Sequence, residues 1–290
     1  MRLGTRSSTL ALAQAEAVAA ALGGAEVVPL KTADGEIGDK GRFVRGVEAA
    51  LLDGGVDLGV HSAKDLPGEL PDGLALVGVP GRADPSDAFI GGAASVEAIG
   101  TGARVGTSSL RRRSQLLALR PDLEIAALRG NVDTRLAKHQ AGDYDGIVLA
   151  TAGLERLGRE HEIAFRFDLG ELTPAPGQGC LALEGRSEDA DAATAAGRIS
   201  DRAALTELTA ERAATRSLGA SCDTPIGVCA RFDGAELTLS GYAGLVDGSE
   251  WVRDQVTGDP EQPAALGEAL AERMAAAGAR EILERAERVA

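Results

Sequence analysis

Apolar and polar positions along the first third of the chain switch between two periods. MRLGT is a short apolar start. LALAQAEAVAAAL carries apolar residues at helical spacing, with Ser7 or Ser8 to cap it and Gly23-Gly24 to stop it. AEVVPL reads as a strand, FVRGVEAALLDGG as a second amphipathic helix ended by glycine, and VDLGVHS as another strand. Strand, helix, strand, helix predicts a sheet with crossover helices. GRADPSDAF then breaks the pattern with turn residues and predicts a hinge. The alternation resumes. ARVGTSS leads into the helix LRRRSQLLAL, LEIAALRG into NVDTRLAKHQAG, and DGIVLATAG into LERLG. ELTPAPGQGCLALEG, an apolar strand among prolines and glycines, predicts a return crossing. SDRAALTELTAERAATRSLG predicts a long helix, and the tail alternates before a final helix over ALGEALAERMAAAGAREILERAERV.

Composition narrows the class. At 290 residues and 44% hydrophobic, the chain suffices for two or three domains with real cores. No apolar run reaches the roughly 18 residues of a membrane span. Gln14 and Glu16 interrupt the N-terminal apolar stretch, which therefore does not read as a signal peptide. Three cysteines, Cys180, Cys222 and Cys229, make an odd set that fits a reduced, cytoplasmic protein. The net charge of −14 argues against nucleic acid or an anionic membrane as partner. Residues 86–176 are nearly balanced, with eleven basic and twelve acidic side chains, whereas residues 200–290 carry nine and sixteen. Only four residues are lysine. Such a composition fits either a salt-rich cytoplasm, making the protein halophilic, or a genome that writes arginine for lysine.

The residues with chemistry in them are mainly arginines at strand-to-helix junctions. Arg111, Arg112 and Arg113 follow Gly106-Thr107-Ser108-Ser109. Arg129 and Arg135 flank the next junction, and Arg156 reads as the same point of the third unit. The carboxyl ends of strands in an open α/β sheet form one ligand-binding edge, and helix N-termini attract anions. One arginine alone is more often a solvated helix charge; three equivalent placements point to a polyanionic ligand. Arg6 extends the array into the first unit. HSAKDLP places Lys64 and Asp65 after a strand, Asp65 as a general acid/base and Lys64 as a carboxylate binder, although as a bare dipeptide an ordinary ion pair is the commoner arrangement. His61 reads as structural. Cys222 sits in a small-residue loop, either nucleophile or attachment point or neither; Cys180 and Cys229 read as buried small hydrophobes. No metal-ligand spacing is present.

Taken together, GTRSSTLALAQ, DKGRFVRGVEAALL, DLGVHSAKDLP, RADPSDAF, VGTSSLRRRSQL, LRGNVDTRL, LATAGLERLG, PAPGQGCLALE and LGASCDTPIG resemble, in order and over nearly the whole chain, the porphobilinogen deaminase (hydroxymethylbilane synthase) family. The resemblance implies an α/β fold: two lobes with mixed sheets like those of type II periplasmic binding proteins, plus a smaller α+β C-terminal domain. The expected boundaries are 1–85 with 178–199 for the first lobe, 86–177 for the second and 200–290 for the third domain. It implies a transferase that polymerises four porphobilinogen molecules head to tail into hydroxymethylbilane, releasing four ammonia. That reaction belongs to tetrapyrrole (haem-type) biosynthesis and is primed by a dipyrromethane cofactor tethered to Cys222. Roles carry over to the matching positions. Asp65 is the catalytic acid/base. Lys64, Thr107, Ser108, Arg111, Arg112, Arg129 and Arg135 hold cofactor carboxylates. Arg6, Ser8, Arg156 and Gln178 face substrate or the growing oligopyrrole chain. The family resemblance favours a monomer. Thr9, Ala220-Ser221 and Cys180 depart from the usual family residues, but none removes a group the chemistry needs. Two rivals remain: an anion-binding two-lobed module without catalysis, and a cysteine hydrolase pairing Cys222 with His61.

Overall fold

The computed structural model describes residues 1–31, 42–220 and 224–288, with the side chains of Arg42 and Phe43 excepted. Cys222 and the first residues of the DKGRFVRG motif lie outside the described residues.

In chain order the first lobe contributes β1 (Arg2–Arg6), α1 (Thr9–Ala21), β2 (Glu26–Leu30), α2 (Arg42–Leu52), β3 (Leu58–Ser62), a 3-10 turn (Ala63–Asp65) and β4 (Leu74–Gly78). Ser8 caps α1, its hydroxyl accepting from Ala11 N, and the helix stops at Gly23-Gly24, both with positive φ. Ala15, Val18 and Ala19 fall on one face and bury against Leu3, Leu58 and Val60 of the sheet.

The second lobe follows with β5 (Asp87–Gly91), β6 (Arg104–Gly106), α3 (Leu110–Leu119), β7 (Glu124–Ala126), α4 (Val132–Gln140), β8 (Gly146–Ala150), α5 (Thr151–Glu155) and β9 (Phe165–Arg166). Ser109 and Asn131 cap α3 and α4 through their side-chain oxygens. Helix α5 begins directly at the end of β8, earlier than the expected LERLG. Arg156 therefore closes α5 instead of sitting in its first turn, because Thr151-Ala152-Gly153-Leu154 already bury as helix under the sheet. The chain returns through β10 (Leu181–Arg186) and α6 (Ala190–Arg198) to the first lobe.

The two five-stranded sheets share one plan. The first has the order β2-β1-β3-β10-β4 and the second β7-β6-β8-β5-β9. In each, three parallel strands meet a fourth that runs antiparallel, β10 or β5, each entered from a segment that crosses between lobes. The crossings lie side by side: Ala83 N donates to Gly179 O at 3.2 Å. A Cβ on Gly179, whose φ is +89°, would meet Ala83 O at 2.4 Å, and one on Gly177, at φ +74°, would meet the Ala63 carbonyl carbon at 2.9 Å. The Gly-Gln-Gly spacing is thus dictated by two backbones in close approach.

The third unit holds α7 (Arg202–Leu218), a three-stranded antiparallel sheet of β11 (Ile226–Asp233), β12 (Glu236–Gly244) and β13 (Trp251–Gly258), then α8 (Pro263–Ala276) and α9 (Ala279–Glu287). The expected single final helix is two, broken at Gly278, which takes φ +94°. Its core joins Ala214 and Leu218 of α7 to Val228, Leu239, Leu270 and Met274. The unit is fastened to the second lobe where Tyr242 Oη meets Ser114 Oγ of α3 at 2.7 Å. Two mixed-sheet lobes and a smaller α+β unit are the architecture the sequence led us to expect.

Candidate active site

A cleft of about 550 Å3 opens where the three units meet. From the first lobe, the 3-10 turn after β3 supplies Lys64 and Asp65. From the second, the β6–α3 loop and the first turn of α3 supply Ser108, Ser109, Arg111 and Arg112, and α4 supplies Arg135. The crossing supplies Gln178, and the third unit supplies Arg212, Thr215, Ala220 and Thr224. Ala220 and Thr224 are the described residues that flank the segment carrying Cys222.

The expected residues divide. Lys64, Asp65, Ser108, Arg111, Arg112, Arg135 and Gln178 share the cleft lining. Arg6, at the end of β1, has Nη1 3.9 Å from Asp65 Oδ2, so it stands beside the turn. Ser8 is occupied as the α1 cap. Thr107 is buried, and its Oγ1 accepts from Ser109 N within the turn. Arg129 is exposed in the loop before α4, outside the cleft lining. Arg156 is half-buried and donates to Gly179 O at 2.7 Å, so it braces the crossing. Arg212 is the residue sequence reading missed. It faces Asp65's loop, donating to Pro67 O and Gly68 O at 2.9 Å. Nothing in TAERAATRS distinguishes it from an ordinary helix charge. His61 is buried with Nε2 3.0 Å from a Glu184 oxygen and serves the interior of the first lobe. That leaves the cysteine-hydrolase rival without its base.

Two of the cleft arginines already have a carboxylate. Asp87, fully buried at the start of β5, accepts from Arg111 Nη1 on Oδ2 at 2.8 Å. On Oδ1 it accepts from Arg112 Nε at 3.0 Å and Nη2 at 2.7 Å. Burial alone would raise the Asp87 pKa, but the two guanidinium groups hold it well below the usual carboxylate range. Arg112 also donates Nη1 to Val148 O, and Arg111 donates Nη1 to Thr173 O. Arg111 Nε is buried without a hydrogen-bond partner among the described residues.

The electrostatics around Asp65 are cationic. Burial, with Arg112 beside it, pulls the Lys64 ammonium down to about 8 against the opposing pull of Asp65 and Asp87. Burial and Arg112 also pull Arg135 down to about 10, with Asp65 opposing. Cations that depress one another want anions. A dipyrromethane, two pyrroles with two carboxylates each, fits this setting. Among the described residues, the cleft gathers Lys64, Arg111, Arg112, Arg135 and Arg212 around one lining acid, Asp65, and the buried Arg111 Nε has no acceptor.

Two family models match most of the chain in order. "Porphobilinogen deaminase, dipyromethane cofactor binding domain" matches residues 1–194, and "Porphobilinogen deaminase, C-terminal domain" matches residues 205–276. The porphobilinogen deaminase of Syntrophus aciditrophicus is 42% identical over 99% of both chains. That of Roseiflexus castenholzii is 45% identical over 98% of both. Among solved structures, the periplasmic VFT2 domain of Bordetella pertussis BvgS aligns with a TM-score of 0.42 and 13% identity, over 69% of this chain and 86% of that one. Among the described residues no helix is long and apolar enough to cross a membrane. With two family domains matched in order and relatives above 40% identity from end to end, the chain belongs to the porphobilinogen deaminase family.

Proposed function

We propose that the chain couples four porphobilinogen molecules head to tail into hydroxymethylbilane, with release of four ammonia, working as a cytoplasmic monomer. The observation that carries the reading is that, among the described residues, one acid, Asp65, is set in a cleft whose other charged lining residues are cationic. Lys64, Arg111, Arg112, Arg135 and Arg212 would hold the carboxylates of a dipyrromethane joined through a thioether to Cys222. The bound group supplies a nucleophilic pyrrole carbon to which the first substrate is joined.

The chain's own residues do the rest. Asp65 donates a proton to the departing amine of porphobilinogen, which leaves as ammonia. The carboxylate that remains stabilises the cationic substrate through its pyrrole N–H, then accepts the proton displaced from ring carbon after coupling. A positioned acid/base contributes about 10²–10⁴-fold. Arg6, with Nη1 3.9 Å from Asp65 Oδ2, is placed to meet an incoming carboxylate. Each charge-assisted arginine–carboxylate bond is worth about 1.5–3 kcal/mol and is directional, so the array orders the chain as well as neutralising it. Thr107, Ser108 and Arg129 would complete the cofactor side, Ser8, Arg156 and Gln178 the substrate side.

Intact mass of purified protein tests the reading. A dipyrromethane increment is expected on the wild type and on Cys180→Ala, and none on Cys222→Ala. An increment retained by Cys222→Ala overturns the attachment, and its absence from active wild type overturns the cofactor. The composition supports an enzyme adapted to a salt-rich cytoplasm.

A further inference from the structure

Asp87 sits at the centre of a hydrogen-bond chain that spans both lobes. Its Oδ1 accepts from Gln178 Nε2 at 2.9 Å as well as from Arg112, and its Oδ2 accepts from Arg111. Gln178 Nε2 also donates to Pro85 O at 2.7 Å, so its amide has only one workable orientation. That orientation turns Oε1 toward the first lobe, where it accepts from Lys64 Nζ at 3.2 Å. Gln178 is buried and Asp87 fully so; the bonds to Asp87 are buried, and the Lys64–Gln178 bond at the cleft edge is part-buried.

The chain joins parts that the sheets hold separately. Lys64 rides on the turn after β3, Asp87 begins β5, Arg111 and Arg112 open α3, and Gln178 lies on the return crossing. We propose that Asp87 is a positioning residue for the condensation: through Gln178 it aims the Lys64 ammonium, and directly it fixes the planes of Arg111 and Arg112, so that cations from both lobes are held at one spacing. An isolated carboxylate so deeply buried would be costly. Here Arg111, Arg112 and Gln178 compensate it. The inference rests on the reading of Lys64 as a carboxylate binder.

Among the described residues, the charged groups facing Lys64 are Asp65 on its own turn, Arg111 and Arg112 of α3, and Asp87 of β5. Gln178 Oε1 favours the charged amine. Losing that acceptor, or the orientation Asp87 gives it, lowers the Lys64 midpoint. Only four lysines occur in the chain, so NMR of ε-labelled lysine isolates the Lys64 signal, assigned by its loss in Lys64→Met.

In Gln178→Leu the Lys64 midpoint is expected to fall by about half a unit or more. Asp87→Asn is expected to lower the midpoint too, and by less in the Gln178→Leu background, where only the direct attraction of the Asp87 charge remains to be lost. An unmoved midpoint in Gln178→Leu overturns the proposal, as does an undiminished Asp87→Asn effect in that background. If Asp87→Asn does not fold, Gln178→Leu alone decides. The titration reads the bond chain itself. Wild type that consumes no porphobilinogen would overturn the functional reading, not the positioning.

Discussion

Arg82 and Glu211 form a buried ion pair, Nη1 to Oε1 at 2.8 Å, that fastens the third unit to the crossing between the lobes. Arg82 lies just before that crossing, and its Nε donates to Gln178 O, while Glu211 projects from α7. Glu211 is satisfied on both oxygens. Oε1 also accepts from Ala230 N of β11 at 2.7 Å, and Oε2 from Gly177 N at 2.6 Å. One carboxylate thus ties together helix, sheet and hinge. The unit flanking Cys222 is held against the segment that presents Gln178 to Lys64.

Glu211→Ala should be strongly destabilising. It leaves Arg82 with Glu207 as its carboxylate partner but strands the Gly177 and Ala230 amides in the interior, and breaking a buried pair from one side costs up to about 3–5 kcal/mol. Urea unfolding followed by fluorescence of Trp251 in the third unit should show a much lower midpoint than wild type. A loss under about 1 kcal/mol would mean the pair is no latch.

Much of this was legible in the chain because the signals are local. Ser8 and Ser109 precede their helices, Gly23-Gly24 and Gly219 end theirs, and the crossing announces itself by Gly177 and Gly179. The turn carrying Lys64 and Asp65 follows its strand as read. What was not legible depends on partners distant in sequence. LRRRSQ looks like three arginines free for a ligand, yet Arg111 and Arg112 converge on Asp87, 24 and 25 positions away, once β5 lies beside β8. Arg212 joins the cleft only because α7 docks under the 66–68 loop. Arg156 moved from helix start to helix end because strand and helix share one unbroken apolar run, IVLATAGL, with no punctuation to divide it.

Asp65→Asn should keep the fold and the approach of Arg6 while removing the proton donor and the negative charge. Loss of a general acid/base alone predicts about 10²–10⁴-fold slower turnover, with the cation-stabilising charge lost in addition. Steady-state rates of porphobilinogen consumption check it. A variant within about tenfold of wild type would remove Asp65 from the mechanism.

Lys64→Met should trade activity for stability, and the sign follows from titration. The folded-state pKa of Lys64 is pulled from 10.5 down to about 8 by burial and Arg112. Below pH 8 both folded and unfolded chains carry the proton, and the folded state bears the full penalty of a buried ammonium. Between about 8 and 10.5 the unfolded chain binds more protons, so stability rises with pH. Methionine removes the penalty. The apparent melting temperature of Lys64→Met should exceed wild type at pH 7, by roughly 2–4 °C per kcal/mol relieved, and the advantage should shrink as pH approaches 10. A variant melting below wild type at pH 7 would show that the ammonium is net stabilising where it stands.

Salt should raise stability and activity together. The net charge of −14 repels itself at low ionic strength. The excess is greatest over residues 200–290, where sixteen acidic side chains face nine basic ones. Surface pairs there, such as Arg202–Glu261 and Arg285–Glu250, are exposed and contribute little. At about 1 M salt the Debye length is roughly 3 Å, so this repulsion is screened, and so is any long-range steering of an anionic substrate. Short arginine–carboxylate contacts in a closed cleft suffer less, since they exclude counterions. Screening therefore removes a destabilising term while leaving the binding contacts in place. The third unit, with Ala220 and Thr224 at the cleft, should loosen first as salt is withdrawn. Thermal melts and initial rates in a potassium chloride series read both quantities, and hydrogen exchange in α7 and β11 reads the order of loosening. Maximal activity and melting temperature at low ionic strength would leave the acidic composition as sequence bias without a role in adaptation.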